Sequence, residues 1–501
     1  MRVYTTIFLG MALSCGLCHA QETYNESMNE GDDFESFRQF IHKDFESFRQ
    51  TINKKYAEFI RHPWKETKNE EPTPKPKDDM IPPVVKPEND NDKPVDPKPV
   101  PIEEVIKPVI DDAPQPEPIE PIKEQPLPVE NYFEFVFFGT KEKVRIPIQN
   151  TSNAFNKDVH TIEDVASIWE TLSNGEYDNL LLDCLNTRRT RRLCDWAYLQ
   201  MIRELCEQYF GGQCNMSTLM TAWIYCQSGY QMRLAIEGAR LHLLIGSKHQ
   251  IFGQSYYRVD ETNFYPFLHK DEEIKRSVQI CGASFPNESA LSLLISQSQE
   301  FADNYKGQRT IKSARYPNVT ATIKVNQNLM SFYNTYPSSM LDENIMTRWA
   351  MYANTPLAKD VKDQLYQQLR PLLSGKSQLD AVNILLNWVQ TGFEYEYDDK
   401  VWGGDRAFFA EESLNYPYCD CEDRSILFTR LVRDLLGLKC ILVFYPGHLA
   451  TAVSFSDFVS GDYIQLNGQK YIVSDPTYIG ASVGMTMPKM DNQTAKIILL
   501  E

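Results

Sequence analysis

The stretch Cys421-Glu422-Asp423-Arg424-Ser425 decides the fold of the C-terminal part of this chain. Two further words follow it, Tyr445-Pro446-Gly447-His448 and Ser474-Asp475-Pro476-Thr477, and Cys421, His448 and Asp475 are each 27 residues apart. A thiol needs a base to become a thiolate, and an imidazole needs an acceptor that fixes its tautomer. We therefore predict a triad in which Cys421 is the nucleophile, His448 the general base and acid, and Asp475 the residue that orients His448.

The residues around this triad predict a helix followed by an antiparallel sheet. Apolar residues recur at helical spacing from Glu422 to Leu436 and Gly437 ends the helix. Cys421 is therefore expected at a helix N-terminus, where backbone N–H groups favour a thiolate. Strands are predicted at residues 439–444, 449–455 and 471–473, with Asn467-Gly468 as a hairpin turn.

These words resemble a known family. A helix-N-terminal Cys followed by acidic residues, a His on a strand and an Asp-Pro-Thr word are similar to the transglutaminase-like domain of the papain-like cysteine-enzyme superfamily, over residues 375–490. The predicted helix Leu379–Gln390 and the word Phe393-Glu394-Tyr395 fit the start of such a domain. More loosely, residues 131–501 resemble secreted Bacteroidales proteins described only as transglutaminase-like. The resemblance implies the fold more specifically than the reaction, because the superfamily includes cross-linking enzymes, proteases, amidases and members without catalysis.

Other roles for these side chains remain open. Cys421 could pair in a disulfide with Cys419 or Cys440. The acidic residues that flank Cys421 would raise the pKa of its thiol if they faced it, which opposes activation. Three aromatic residues are predicted either to line a substrate groove or to belong to the core; they are Trp402, Tyr416 and Tyr418.

The fold class is predicted to be α+β, with a transglutaminase-like module at residues 375–501. Residues 131–300 are predicted to form a mixed module that is a degenerate copy of it, since Cys214 opens a helix and His249 and Asp260 follow. A structural or substrate-binding role is favoured there over a catalytic one. Residues 301–374 are expected to be a connecting region, with β-structure at 315–335 and a helix at 357–369 that Pro371 limits.

The first 20 residues predict a signal peptide. Met1-Arg2 is a short basic start, residues 7–17 are largely apolar but too short to span a membrane, and cleavage is expected after Ala20. The chain is therefore predicted to be exported to the periplasm, the cell envelope or the medium, with acylation at Cys15 or Cys18 as the alternative. Nine of the eleven cysteines then remain, an odd number that fits one free thiol.

The chain then continues with a repeat and a linker. Two copies of an 11-residue word occupy residues 33–43 and 44–54, and their apolar residues, at steps of three and four, predict an amphipathic helix within residues 21–65. This helix, at residues 33–65, could self-associate, bind a partner or pack on its own protein. Residues 66–130 are rich in proline and are predicted to be a disordered linker.

Composition excludes one class of function. The net charge of −17 argues against binding to nucleic acid, which needs basic surfaces. No cofactor, metal site or transmembrane helix is predicted. We expect a secreted cysteine enzyme that transfers the acyl group of a protein or peptide amide through a thioester to water, or less readily to an amine. The alternative is a catalytically inactive scaffold of the cell envelope.

Overall fold

The computed structural model describes residues 48–77, 81–88, 96–110, 115–118, 122, 124–125, 130–147, 159–270, 272–274, 277–488, 490 and 495–500. Within these ranges the protein is a mixed α+β structure with several antiparallel sheets, so the predicted fold class is confirmed. The predicted signal peptide and the first repeat lie outside the described residues. None of the helices in these ranges combines the length and the apolarity that a membrane span requires.

The described elements are as follows. The helices are 48–60 (α1), Ile162–Leu172 (α2), Asp178–Thr190 (α3), Asp195–Phe210 (α4), Asn215–Gln227 (α5), Gln327–Tyr333 (α6), Arg348–Asn354 (α7), Lys359–Leu373 (α8), Gln378–Gly392 (α9), Asp398–Val401 (α10), Ala410–Asn415 (α11) and Cys421–Leu436 (α12), with a 3-10 turn at Ile345–Thr347. The strands are Lys65–Thr67 (β1), Ile102–Ile106 (β2), Glu130–Phe137 (β3), Thr140–Pro147 (β4), Met232–Glu237 (β5), Arg240–Gly246 (β6), Gln250–Ile251 (β7), Tyr257–Val259 (β8), Thr262–Pro266 (β9), Val278–Ile280 (β10), Arg309–Lys312 (β11), Thr320–Ile323 (β12), Ser339–Met340 (β13), Glu394–Tyr395 (β14), Tyr418–Cys419 (β15), Cys440–Tyr445 (β16), His448–Ser454 (β17), Tyr463–Leu466 (β18), Gln469–Val473 (β19) and Ala495–Leu499 (β20).

The N-terminal module, residues 131–300, is organised around one sheet. Six strands follow the order β1-β10-β5-β6-β9-β8, and α5 packs on β5 and β6. Apolar side chains are buried on both faces of this sheet, such as Leu243 on one side and Leu244 on the other. That double burial explains why β5 and β6 read as nearly continuous apolar runs rather than as alternating ones.

The C-terminal module, residues 375–501, has an equivalent strand order, but its edge strand β2 runs parallel to β20 whereas β1 runs antiparallel to β10. Its six strands follow the order β2-β20-β16-β17-β19-β18, and α12 packs on β16 and β17. The hairpin β16–β17 therefore takes the place of β5–β6, and the hairpin β18–β19 takes the place of β8–β9. A single large hydrophobic core includes residues of both modules, such as Trp223 in α5 and Trp388 in α9.

The proline-rich segment differs from the disordered linker that the sequence predicts. Strand β1 pairs with β10 and strand β2 pairs with β20, so this segment supplies the edge strand of both sheets. Strands can form at these two places because prolines are missing there. Lys65–Thr67 and Ile102–Ile106 contain no proline, so their backbone N–H groups remain available for pairing, and Ile106 is buried.

Helix α1 packs on its own protein along its described length. The Tyr56 ring lies 4.8 Å from that of Trp169 and 5.5 Å from that of Phe285. Asn53, 2% exposed, exchanges hydrogen bonds of 3.0 and 2.9 Å with the side-chain amide of Gln227. Of the three roles that the sequence leaves open for this helix, packing on the N-terminal module is therefore observed for residues 48–60.

The connecting region agrees with the sequence in part. Strand β12 lies within the predicted β-structure at 315–335, its partner β11 lies before that range, and α8 corresponds to the predicted helix. Two details are wrong. Residues 327–333 form helix α6 instead of a strand, because the Asn326 side chain accepts a hydrogen bond from the N–H of Asn328 and starts a helix there. Helix α8 also continues through Pro371 to Leu373, since a proline near the last turn removes only one hydrogen bond.

Candidate active site

Helix α12 begins at Cys421 because Asp420 caps it. The Asp420 carboxylate accepts a hydrogen bond from the N–H of Glu422 at 3.2 Å, and the Asp423 carboxylate accepts one from the N–H of Asp420 at 3.2 Å. This reciprocal arrangement satisfies N–H groups that a helix start otherwise leaves unpaired. Gly437 ends the helix in a left-handed conformation, with φ of 67°. The prediction that Cys421 sits at a helix N-terminus is confirmed.

The structure brings His448 and Asp475 together. His448 is the first residue of β17, and its Nε2 lies 2.9 Å from Asp475 Oδ2. The other Asp475 oxygen accepts hydrogen bonds from the N–H groups of Thr477 at 2.8 Å and Tyr478 at 3.3 Å. The backbone after Asp475 thus turns back and binds the Asp475 carboxylate, and this fixes the orientation of the carboxylate towards His448.

The other ring nitrogen of His448 is the one left for chemistry. Nδ1 is buried and has no hydrogen-bond partner among the residues that the structure describes. Because Nε2 is taken by Asp475, Nδ1 is the nitrogen that can accept a proton from a neighbouring group.

Cys421 lies beside the backbone that carries His448. Its sulfur faces the backbone N–H of Leu449, the residue directly after His448, and this N–H acts to lower the pKa of the thiol. One helical turn further on, Ser425 Oγ donates to the carbonyl of the same Leu449 at 2.9 Å. The first turn of α12 therefore lies against the peptide groups on both sides of Leu449, next to the residue that carries the imidazole. All three residues of the predicted triad are buried, with Cys421 and His448 1% exposed and Asp475 3%. The structure pairs His448 with Asp475, but among the described residues no hydrogen bond joins Cys421 Sγ to His448 Nδ1.

The surroundings of Cys421 favour the protonated thiol. Burial raises the pKa of Cys421 well above its ordinary value, and the charges of Asp420 and Glu422 raise it further. The N–H of Leu449 acts in the opposite direction. The acidic residues therefore oppose activation, as their sequence positions suggest, and the sulfur depends on a base to remove its proton.

Carboxylates next to the thiol form two groups that could hold a metal ion. One comprises Asp398, Asp405 and Glu422, and the other Asp420, Glu422 and Asp423, with donor oxygens within 4.8 Å of one another. Carboxylate oxygens are ligands of hard divalent cations such as Ca²⁺, but each group offers three of the roughly six to eight oxygens that Ca²⁺ takes. Some of these oxygens already accept hydrogen bonds, since Asp423 Oδ1 binds the N–H of Phe408 at 2.8 Å. Burial raises the pKa of Asp420, Glu422 and Asp423, and neighbouring carboxylates raise it further.

The cysteines near the site are not linked. All nine cysteines of the described ranges are free thiols, including Cys419 and Cys440, the two residues with which Cys421 could have paired. Cys419 instead has its sulfur 4.0 Å from the carbonyl oxygen of Glu394, and Cys440 has its sulfur 3.8 Å from that of Leu438. A disulfide therefore does not occupy the sulfur of Cys421 in this structure.

Gln390 supports the loop that carries Asp475, a role that was not predicted for this residue at the end of a helix. Its Nε2 lies 3.0 Å from the Asp475 carbonyl, 2.7 Å from that of Tyr478 and 3.1 Å from that of Ala481. Its Oε1 accepts from the N–H of Gly480 at 3.2 Å, and the side chain is 1% exposed. A glutamine at the end of an otherwise apolar helix was the available signal, because a buried amide must find partners.

The three aromatic residues that were predicted to line a groove or to belong to the core have different surroundings. Trp402 and Tyr416 pack edge to face with ring centroids 4.8 Å apart, and the Arg406 guanidinium lies 4.7 Å from the centre of the Trp402 ring. Trp402 also lines a cavity of about 720 Å³ together with Tyr336 and Arg406. Tyr418 is 38% exposed in β15, which leads directly to Asp420.

Cys214, His249 and Asp260, the second constellation suggested by the sequence, occupy separate places. Cys214 is exposed and caps α5. The His249 ring is buried, with its nitrogens 3.3 Å from the carbonyl of Leu341 and 3.4 Å from Ser292 Oγ. Asp260 is exposed in the turn between β8 and β9. The expectation that these three residues correspond to the triad is wrong, because their spacing in sequence does not match the strand register.

The register identifies the true equivalents of the triad in the N-terminal module. The pair Tyr445–His448 at the end of the β16–β17 hairpin corresponds to Glu237–Arg240 in β5–β6. Following the paired strands onward, Ala452–Val473 corresponds to Leu244–Pro266, so Leu268 stands at the position of Asp475.

Asn215 stands at the position of Cys421. It is the first residue of α5, and its Oδ1 accepts a hydrogen bond from the N–H of Leu241 at 2.9 Å. Leu241 follows Arg240 as Leu449 follows His448, so the amide oxygen of Asn215 takes the place of the Cys421 sulfur. The N-terminal module therefore has Asn, Arg and Leu where the C-terminal module has Cys, His and Asp.

Neither a family model, nor a curated protein, nor a solved structure matches this chain.

Proposed function

We propose that this protein is an exported, transglutaminase-like cysteine enzyme that transfers the acyl group of a polypeptide amide to water. The observation that carries the proposal is the buried His448–Asp475 pair with Cys421 at the helix start beside the strand of His448. The His448–Asp475 bond of 2.9 Å fixes the ring, Nδ1 of His448 is unpaired, and the Cys421 sulfur contacts the peptide group directly after His448. These are the three parts that a thiol nucleophile requires.

In the proposed reaction, His448 Nδ1 takes the proton of the Cys421 thiol as the sulfur attacks the carbonyl carbon of the amide. The carbon–nitrogen bond then breaks, and His448 returns the proton to the leaving amine, which leaves a thioester on Cys421. Water, deprotonated by His448, attacks the thioester and releases a carboxylic acid and the free thiol. Asp475 orients His448 and stabilises its charged form throughout.

Backbone N–H groups at the start of α12 are the candidate donors for the negative oxygen of the tetrahedral intermediates. A helix N-terminus presents several such groups and a favourable dipole, although the N–H of Glu422 already binds Asp420. An amine could replace water as the acceptor and would give a cross-link. Water remains the preferred acceptor, because a cross-linking enzyme must exclude water once the thioester has formed.

One observation favours a second candidate, the catalytically inactive scaffold. Cys421 is 1% exposed, and its pKa is raised by burial and by two acidic neighbours. A site that has lost catalysis can retain its buried polar contacts as structural ones. The difference between the two candidates lies in whether His448 activates the thiol.

Alkylation of the thiols tests the proposal. In a Cys214→Ser background, which removes an exposed thiol, the protein is treated with iodoacetamide and the modified residues are mapped by mass spectrometry. We expect Cys421 to react at least about tenfold faster than Cys419, because the base deprotonates only Cys421. Cys419 is an internal control, since it is 3% exposed and lies two residues away.

The variant His448→Ala completes the test. It should slow the alkylation of Cys421 about tenfold or more and leave that of Cys419 unchanged. Equal rates for the two thiols in the unmodified protein, or a Cys421 rate that does not depend on His448, would favour the inactive scaffold.

A further inference from the structure

A short extended segment of the proline-rich region lies against the turn that precedes His448 and the loop that follows Asp475. Residues 81–86, Ile-Pro-Pro-Val-Val-Lys, are described here as the strap. At one end the N–H of Ile81 donates to the carbonyl of Gly447 at 2.9 Å, and Gly447 directly precedes His448. At the other end the strap pairs with Ile479, four residues after Asp475.

The contacts at the second end have the geometry of strand pairing. The N–H of Lys86 donates to the carbonyl of Ile479 at 2.9 Å, and the N–H of Ile479 donates to the carbonyl of Val84 at 2.9 Å. Main-chain hydrogen bonds of this kind do not depend on the side chains of the bound segment, so they fit any extended polypeptide.

Side chains add selectivity to the contact. Ile81 and Val84 of the strap pack on a small apolar cluster formed by Tyr478, Ala481 and Met487. Val85, between Val84 and Lys86, points away and is 66% exposed. Alternating contact and exposure along an extended chain is how strand-addition sites read side chains.

Pro82 and Pro83 prepare the strap for this role. Proline fixes φ and favours an extended conformation, so little conformational entropy is lost when the strap is bound. Prolines also lack the N–H group, and the three hydrogen bonds above use none from them.

From these contacts we infer that the groove between Gly447 and Ile479 is a binding site for an extended polypeptide with apolar residues at the positions of Ile81 and Val84, and that the strap is its built-in occupant. The inference rests on the proposed function for the meaning of this polypeptide, which is the substrate. It adds the substrate class and places a competing occupant beside the loops next to His448 and Asp475. An incoming polypeptide has to displace the strap before it can reach the site.

A peptide with the sequence of residues 81–88, labelled with fluorescein, tests the inference by fluorescence anisotropy on the full chain. The unmodified protein should not bind it at tens of micromolar, because a tethered occupant competes at an effective concentration on the order of millimolar. Val84→Asp places a charge against the apolar cluster, so it should release the strap and let the labelled peptide bind at least about tenfold more tightly. Val85→Asp carries the same change on an exposed side chain and should behave as the unmodified protein.

A second variant guards against misfolding of the first. Ile81→Pro removes the N–H that binds Gly447 without adding a charge, and it should also increase peptide binding. Peptide binding that is absent in both Val84→Asp and Ile81→Pro, or equal in all four proteins, overturns the inference. The faster alkylation of Cys421 relative to Cys419 does not depend on peptide binding, so a failure of the strap is distinguishable from a failure of the proposed enzyme.

Discussion

The N-terminal and C-terminal modules place a helix start against the same point of a six-stranded sheet, and they fill that point differently. In one, the amide of Asn215 accepts from the N–H of Leu241 at 2.9 Å and donates to the carbonyl of Ala239 at 2.8 Å. In the other, the sulfur of Cys421 faces the N–H of Leu449. Both side chains connect the helix to a strand, so this contact is part of the architecture and is independent of any chemistry.

The modules differ in the residues at the positions of His448 and Asp475. Arg240 replaces the imidazole and forms an ion pair with Glu272, while Leu268 replaces the carboxylate. An arginine remains protonated at physiological pH and cannot act as a base. The comparison teaches that the two modules share a strand order and a helix start at one point of the sheet. They differ in the three side chains at that point, and only the set in the C-terminal module could form a triad.

The largest expected effect comes from replacing Cys421 with asparagine, the residue at the equivalent position of the N-terminal module. Cys421→Asn should lower the cleavage of fluorogenic casein at least about 10³-fold, because no nucleophile remains. The free energy of unfolding should change by less than about 1 kcal/mol, since the amide oxygen can accept from Leu449 as Asn215 does from Leu241. Thermal unfolding and the cleavage assay check both halves. Loss of folding together with activity would mean that the two contacts are not equivalent.

The next effect concerns the N-terminal module alone. Tyr56→Ala should lower the free energy of unfolding by about 3–5 kcal/mol, because it empties a buried site between Trp169 and Phe285. Phe59→Ala in the same helix should change it by less than about 0.5 kcal/mol, as Phe59 is 57% exposed. Denaturant unfolding measures both. Similar effects for the two variants would show that helix α1 does not pack as described.

Opposite responses to pH should distinguish the modules. Burial raises the pKa of Glu411 in the C-terminal module from 4.5 to about 7, so its stabilisation is full below about pH 4.5 and is lost as the pH rises through about 7. This loss is on the order of 3 kcal/mol. In the N-terminal module, burial acts to raise the pKa of Glu272, but hydrogen bonds from Gln213 and Arg240 outweigh it and lower the pKa to about 2. Its stabilisation is therefore present above about pH 4.5 and is lost as the pH falls through about 2.

Thermal unfolding between pH 5 and pH 8 measures the first of these responses. Stability should fall towards pH 8 in the unmodified protein, and Glu411→Gln should flatten that fall because the amide can still accept from the N–H of Ala358. An unchanged slope in Glu411→Gln would show that Glu411 is ionised in the folded protein.

The smallest effect tests the second contact of α12 with the strand. Ser425→Ala should lower the free energy of unfolding by about 1–2 kcal/mol, because it leaves the buried carbonyl of Leu449 without its donor. The N-terminal module has Leu219 at this position and no such bond to lose. Ser331→Ala, which removes a hydrogen bond to an exposed helical carbonyl, is the matched control and should cost less than about 0.5 kcal/mol. Equal losses would argue against a special role for the Leu449 contact.

Much of the candidate site could be predicted from the sequence, because residues next to each element mark where it begins or ends. Asp420 and Gly437 mark the ends of α12, and Asn467-Gly468 forms the turn of the β18–β19 hairpin with positive φ at both residues. The strands β1 and β2 could not be predicted in this way. Each is three to five residues long and pairs with a strand more than two hundred residues away, so neither periodicity nor turn residues reveal it. The mistaken match of Cys214 with Cys421 has a related cause, since only strand register shows that Asn215 is the equivalent residue.

The edge strands β1 and β2 have a practical consequence for anyone who shortens this chain. A protein that begins at Asn131 would omit both, and the backbone N–H and C=O groups of β10 and β20 would then face water along two open sheet edges. Open edges pair readily with the edges of other molecules and promote aggregation. A recombinant protein that begins at Asn131 should therefore be less soluble than the longer protein, although the sequence predicts only a disordered linker at residues 66–130.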